Sequence, residues 1–241
     1  MHTLEDIRDR AFAASTLAMR GDADPSLYAR IRQAAEAEHA GVRARIRDGT
    51  LDKEAFLAEL RRAPLEIRDH LVEEILDVAY PPFGDRGHTP SGLAEILFTL
   101  DNAGLGPGKT FVDLGAGLGK VAMLVALLSG ARAIGVELDA HLVAHARAAS
   151  RALGLDGVEL VEGDLRDVAL PPADVYYMYI PFAGSAAVVE RLAPIAAERD
   201  IVLFSQPLDG ARFPWLEARG TASYWLEIYE SRLTGDRLVT Y

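Results

Sequence analysis

Three glycines at alternate positions, Gly115, Gly117 and Gly119, follow an apolar run that ends in an acid, Phe111-Val112-Asp113-Leu114. Glycine reaches positive φ without steric cost and lets a ligand or a second backbone come close. A glycine turn between a strand and a helix can therefore seat a nucleotide-like ligand. A dinucleotide fingerprint requires G-x-G-x-x-G, with its third glycine where helix and strand pack. Counted from Gly115, that position holds Lys120, too bulky for the role, and Gly119 falls one residue early. Two more acids follow at the ends of apolar runs: Glu137 in Gly135-Val136-Glu137-Leu138-Asp139, and Asp164 in Gly163-Asp164-Leu165. A carboxylate at a strand end can accept from both hydroxyls of a ribose. A second can accept from an exocyclic amine, with an apolar neighbour such as Leu165 beside the ring. The stretch Tyr179-Ile180-Pro181-Phe182 comes next. Each feature alone also has a structural reading, as a tight connection, a surface acid or a common turn. Their order along the chain is what points to a site.

These residues need a scaffold that brings strand ends together. From residue 110 onward, apolar strand-like runs (110–114, 131–137, 158–162, 174–179 and 201–205) alternate with helical patterns (119–128, 141–153 and 183–198). Such alternation predicts a parallel sheet, doubly wound with helices on both faces. Two further strand-like runs, 221–231 and 237–241, flank the turn signal Thr234-Gly235-Asp236 and read as an antiparallel hairpin. Residues 3–79 read as helices only. Asp24-Pro25 is an N-cap and first-turn pair, and Val42 and Ile46 lie on an inward face. Thr50 is placed to cap a second helix bearing Phe56 and Leu60, and Pro64 opens a third bearing Ile67, Leu71, Ile75 and Val78. Pro81-Pro82 ends it, since adjacent prolines cannot continue a helix. Thr89-Pro90 then opens a helix with Leu93, Ile96, Leu97 and Leu100 facing inward. The expected division is a helical segment over 1–82 and an α/β domain over 83–241. The helical segment reads equally as a plain packing bundle or as a cap over the site or a homodimer contact.

Composition narrows the function classes. Half of the 241 residues are hydrophobic, and the formal net charge is -11. Residues 1–79 hold 12 basic and 16 acidic side chains, the remainder 13 and 20. Both halves are acidic and no basic block stands out, which argues against a nucleic-acid partner bound through its phosphates. There is no cysteine, so no disulfide and no thiolate metal site. His141 and His145 stand four apart without an evident third ligand, so no metal is expected. The charged start Met1-His2-Thr3-Leu4-Glu5-Asp6 lacks the apolar run of a signal peptide, and no apolar stretch reaches membrane-spanning length. A cytoplasmic protein is the expectation, and the Arg- and Ala-rich composition suggests a bacterial source.

The G-x-G-x-G spacing, with Asp113 two residues before the first glycine, resembles motif I of the class I S-adenosylmethionine (SAM) methyltransferases. The resemblance covers about residues 89–205. It implies a Rossmann-like seven-stranded sheet, mostly parallel, with an antiparallel C-terminal strand. It also implies SAM as cofactor and S-adenosylhomocysteine as product. The cofactor contacts it implies are Thr89, Asp113, Gly115, Ala116, Gly117, Gly119, Glu137, Leu138, Gly163, Asp164, Leu165 and Tyr179. Asp113 would serve the methionine end, Glu137 the ribose and Asp164 the adenine. Tyr179 and Phe182 would position the methyl acceptor, with Tyr80, Phe83, His88 and Pro181 lining its pocket. The acceptor is expected to be a nitrogen or oxygen of a small molecule or peptide. Gly84-Asp85-Arg86-Gly87-His88-Thr89-Pro90 together with motif I also resembles the non-SET histone lysine methyltransferases, which implies a protein-lysine acceptor as an alternative. The paired asparagines of that group are absent; Ile180 and Pro181 stand there. Tyr179 occupies the place where nitrogen-directed enzymes carry Asp or Asn, which keeps a SAM-binding regulator as a third reading.

Overall fold

In the computed structural model of the chain, described over residues 25–63, 65–78, 90–179, 184–223 and 226–232, three helices precede a seven-stranded sheet. The helices are α1 (Pro25–Arg47), α2 (Lys53–Arg62) and α3 (Leu65–Leu76), and α4 (Leu93–Asn102) leads into the sheet. Strands β1 (Thr110–Leu114), β2 (Arg132–Glu137) and β3 (Val158–Glu162) alternate with α5 (Lys120–Ser129) and α6 (Ala140–Ala152). Then come β4 (Val175–Met178), α7 (Ser185–Glu190), α8 (Ala193–Ala196), β5 (Val202–Ser205), β6 (Leu216–Ala222) and β7 (Glu227–Ser231). The sheet order is β3-β2-β1-β4-β5-β7-β6. Strands β1 to β5 pair in parallel, and β7 runs antiparallel between β5 and β6. The order reverses between β1 and β4, and a ligand in an open α/β sheet binds at such a switch point, beyond the carboxyl ends of the strands.

Alternate residues of each central strand enter two cores. Phe111, Ala133, Val175, Tyr177 and Phe204 face α4, α5 and α6; Val112, Ile134, Tyr176, Met178 and Leu203 face α7 and α8. The first core runs without interruption into the helical segment, where Val42, Ile46, Phe56, Leu60, Val72, Ile75 and Val78 are buried in it. The helical segment therefore packs on α4 and α5, the helices that cover this face of the sheet. Among the described residues no helix is long and apolar enough to cross a membrane.

Several expected boundaries move. The cap of α2 is Asp52, whose carboxylate accepts from the Ala55 amide at 3.0 Å, rather than Thr50. Helix α4 starts at Leu93 after Gly92, later than a start at Thr89-Pro90, and Asp69 of α3 accepts from the Leu93 amide in place of a local cap. The expected helix over 183–198 is two short helices, because Pro194 has no N–H to give the Glu190 carbonyl. The C-terminal hairpin turns inside the expected 221–231 strand, where the Ser223 amide donates to the Leu226 carbonyl at 2.8 Å. Residues 234–241, with the expected turn and last strand, lie outside the described residues.

One glycine of β2 fixes how close the glycine turn lies to the sheet. A Cβ added at Gly135 would stand 2.7 Å from Ala116 Cβ and 2.8 Å from Leu160 Cδ1. The leucine can rotate, but Ala116 is held by the turn itself. Gly135→Ala is expected to cost about 1–3 kcal/mol, the usual cost of overpacking, and so to lower the melting temperature by roughly 2–12 °C in a chain of this size. Thermal unfolding with an unchanged midpoint would show that the turn yields freely.

Candidate active site

The three motif glycines all adopt left-handed backbone, with φ of 95°, 55° and 76° at Gly115, Gly117 and Gly119. L-residues with a Cβ rarely adopt this conformation, which accounts for glycine at alternate positions. The Gly115 and Ala116 amides both donate to the Val136 carbonyl at 2.9 Å, drawing the turn over the end of β2. The glycines then divide their work. A Cβ at Gly115 would meet none of the described residues within 4 Å, so among them this side is open to a ligand. A Cβ at Gly119 would meet Ala146 and Met123 side chains at 3.3 Å and Leu160 at 3.4 Å. Gly119 thus supplies close helix–sheet packing rather than an open approach. Lys120 points elsewhere: it is 3% exposed, and its Nζ donates to Glu73 Oε1 of α3 at 2.7 Å.

Three carboxylates lie at consecutive strand ends, each in a different state. Asp113 is 3% exposed, and its Oδ2 has no hydrogen-bond partner among the described residues. Burial, reinforced by the nearby negative charge of Glu137, pushes its pKa up to about 8. Glu137 is the opposite case. Its Oε2 accepts from the Gly117 amide at 2.8 Å and its Oε1 from the Asp139 amide at 2.9 Å. Each carboxylate oxygen has a further lone pair to offer, so the group is oriented and still able to accept from a diol. Asp164 carries an ion pair with Arg166, whose Nε lies 2.9 and 3.0 Å from its two oxygens. Hydrogen bonds from the Arg166 side chain and backbone hold the Asp164 pKa down at about 2. Gly163 is tied to the neighbouring strand end, its amide donating to the Glu137 carbonyl at 2.9 Å.

Leu165 was expected beside a ring, and Leu138 among the cofactor contacts. Leu165 is buried in the second core with Val112, Ile134 and Met178, so its side chain is committed to the sheet. Leu138 is 64% exposed, and among the described residues it is the large apolar side chain that stands out in solvent. It follows Glu137 directly.

On the other side of the switch point, Tyr179 leaves β4 with its ring parallel to that of Tyr177, 6.5 Å between centroids and 9° between planes. Tyr177 is buried, and its hydroxyl donates to Ser91 Oγ at 2.9 Å, just before α4. Burial raises the Tyr179 pKa, and the negative charges of Glu95 and Asp69 add to it. Ile180, Pro181 and Phe182, together with Tyr80, Phe83, His88 and Thr89, lie outside the described residues. The described members that converge are Asp113, Gly115, Ala116, Gly117, Glu137, Leu138, Gly163 and Asp164 on one side, with Tyr179 across the switch point.

Residues 111–197 match the sequence model of a family described as a methyltransferase domain. Those residues, from β1 to the end of α8, carry the pattern of a methyltransferase domain on a seven-stranded, mostly parallel sheet. Over 119 residues it is 31% identical to a protein of Methanospirillum hungatei named "Probable ribosomal RNA small subunit methyltransferase A", a match over 48% of this chain and 44% of that protein. The chain thus spans less than half the length of this curated relative. Among solved structures, an RNA methyltransferase from Salinibacter ruber in complex with S-adenosylhomocysteine is 25% identical, with a TM-score of 0.48, over 63% of this chain and all of that one. A SAM-dependent methyltransferase from Aquifex aeolicus is 16% identical, with a TM-score of 0.47, over 56% of this chain and 88% of that one.

The methyl donor of this family is SAM, and the methyltransferase domain of this chain has features that fit it. The Gly115 face is open, the Asp113 carboxyl has an unmatched oxygen, and an exposed apolar side chain follows Glu137. Sequence reasoning missed Asp69, Glu73 and Ser91, which tie α3 and α4 to the site. A signal existed for the first two: they stand four apart on a helix, with His70, Leu71 and Val72 between them. That spacing puts both acids on one face, next to the face that carries Val72 and Ile75 into the core.

Proposed function

We propose that this chain binds SAM across the carboxyl ends of β1, β2 and β3 and transfers its methyl group to a nitrogen or oxygen of a small molecule or peptide. The observation that carries the reading is the Asp113 carboxyl, buried with an orphaned oxygen directly before a turn that is open at Gly115. A buried polar group without a partner is costly and calls for one. A ligand with a cationic amino end supplies it. Glu137, already oriented by two backbone amides, accepts from the ribose hydroxyls, Leu138 covers the adenine and Asp164 accepts from its amine. SAM contributes an electrophilic methyl on a sulfonium, so the work of the protein is to hold an acceptor in line with it. A base is required only when the acceptor must lose a proton. Tyr179, fixed by its stack on Tyr177, presents an aromatic face at the place where the acceptor meets the donor. Phe182 is assigned a similar part.

SAM and S-adenosylhomocysteine are expected to raise the melting temperature of the protein, while NAD leaves it unchanged. A shift with NAD in place of SAM would overturn the donor assignment. The acceptor class is read by incubating the protein with methyl-labelled SAM and host lysate, then separating small molecules, proteins and RNA. Label in the small-molecule or peptide fraction is the expected result. Label on protein lysines would support the histone-methylase-like alternative. Label on RNA would follow the names of the Methanospirillum and Salinibacter relatives and overturn the expectation drawn from the acidic charge. SAM binding with no transfer to any fraction would mark a regulator.

A further inference from the structure

Helix α3 reaches both sides of the glycine turn through two acids one helical turn apart. Glu73, 8% exposed, receives Lys120 Nζ at 2.7 Å, and Lys120 is the first residue of α5, directly after Gly119. Asp69 accepts from the Leu93 amide and so caps α4, the helix that precedes β1. The C-terminal end of α3 is fixed in turn. Arg43 of α1 donates to the Glu74 carbonyl at 2.6 Å and to the Ile75 carbonyl at 3.1 Å. Past the helix, Asp77 takes a left-handed φ of 58°, and its carbonyl meets His145 Nε2 of α6 at 2.7 Å. The helical segment is thus bonded to the elements before and after the motif I turn and to the helix that follows Glu137.

A buried ion pair is a poor device for stability alone. Two charges removed from water lose much of their mutual attraction to desolvation, and apolar residues of similar volume often serve as well. A pair retained at such cost is informative where it fixes geometry. We infer that Lys120 and Glu73 are positioning residues for the donor site: they lock the start of α5, and with it Gly117 and Gly119, in the arrangement that meets SAM. This rests on the reading of the glycine turn as the SAM site. It makes the helical segment part of that site rather than an appended bundle, because α3 is ion-paired to the residue that directly follows the turn.

The test separates positioning from stability. Lys120→Met leaves Glu73 buried without its cation, so a marked loss of melting temperature is expected. Lys120→Met/Glu73→Leu removes both charges and fills their volume with apolar groups, so the melting temperature should return close to that of the wild type. Titration calorimetry with S-adenosylhomocysteine on this folded double variant is expected to give a Kd weakened by about tenfold or more, since small displacements remote from a site are costly there. Wild-type affinity in the double variant would overturn the inference and leave the pair a packing feature. A double variant that regains neither stability nor affinity would overturn it as well, for the pair would then be holding the fold. Failure of the wild type to bind S-adenosylhomocysteine would instead overturn the SAM assignment itself, and the inference with it.

Discussion

Asp113→Asn is expected to stabilise the ligand-free protein at pH 8 and to weaken its hold on SAM. The wild-type carboxyl is buried, lacks a partner for Oδ2, and has a pKa pushed from 3.8 up to about 8. Between those two values the unfolded chain has released the proton while the folded chain keeps it. The unfolded state then binds fewer protons, so stability falls as pH rises across the window and levels off above about pH 8. Asparagine has nearly the same shape and no charge, so the variant lacks this slope. Its buried amide needs partners of its own, which offsets part of the gain. A net advantage of about 1–2 kcal/mol at pH 8 is expected, or roughly 2–8 °C, shrinking towards pH 4. Melting curves at several pH values for both proteins measure it. A difference that does not change with pH would show that the folded carboxyl is not holding its proton. In the same variant the SAM-induced rise in melting temperature should shrink, since the negative charge that answers the amino end of SAM is gone. The wild-type residue is then a case of stability given up for binding.

The contrast between Asp113 and Glu137 also shows what the sequence could and could not convey. Both are acids at the end of an apolar strand, and their order relative to the glycines was legible from the chain alone. So was the alternation that builds the sheet, because Phe111/Val112 and Tyr176/Tyr177 divide between two cores with the period of a strand. What decides their chemistry was not legible. One carboxyl has an oxygen left without a partner and the other receives two backbone amides, one of them from Gly117, distant in sequence on the glycine turn. Gly119 and Gly135 illustrate the same limit. Both read as glycine in a motif, but only the folded chain shows that Ala146 crowds the first and Ala116 the second. Helix ends moved for related reasons. The cap of α4 is supplied by Asp69, distant in sequence, and no local pattern announces it. Leu165, expected beside a ring, is buried because the turn after β3 folds its leucine into the second core.

Glu137→Ala is expected to abolish the SAM-dependent rise in melting temperature and to weaken binding by about a hundredfold or more. The carboxylate offers two charge-assisted hydrogen bonds to a ribose, and bonds to a charged group contribute about 1.5–3 kcal/mol each. The substitution also leaves the Gly117 and Asp139 amides without their acceptor, loosening the turn that the ligand must meet. Glu137→Gln keeps one carbonyl oxygen and should fall between the two. Asp164→Ala should likewise remove the shift if it receives the adenine amine, although its present partner is Arg166. Calorimetry reads all three, and wild-type affinity in both alanine variants would overturn the placement of the donor. The first variant carries a further consequence that ties it to Asp113. Part of the elevated pKa there is repulsion from Glu137. With that charge removed, Asp113 ionises at a lower pH, and the fall in stability ends at a lower pH than in the wild type. An unshifted profile would mean that burial alone raises the Asp113 pKa, and that the two carboxylates act on the ligand independently.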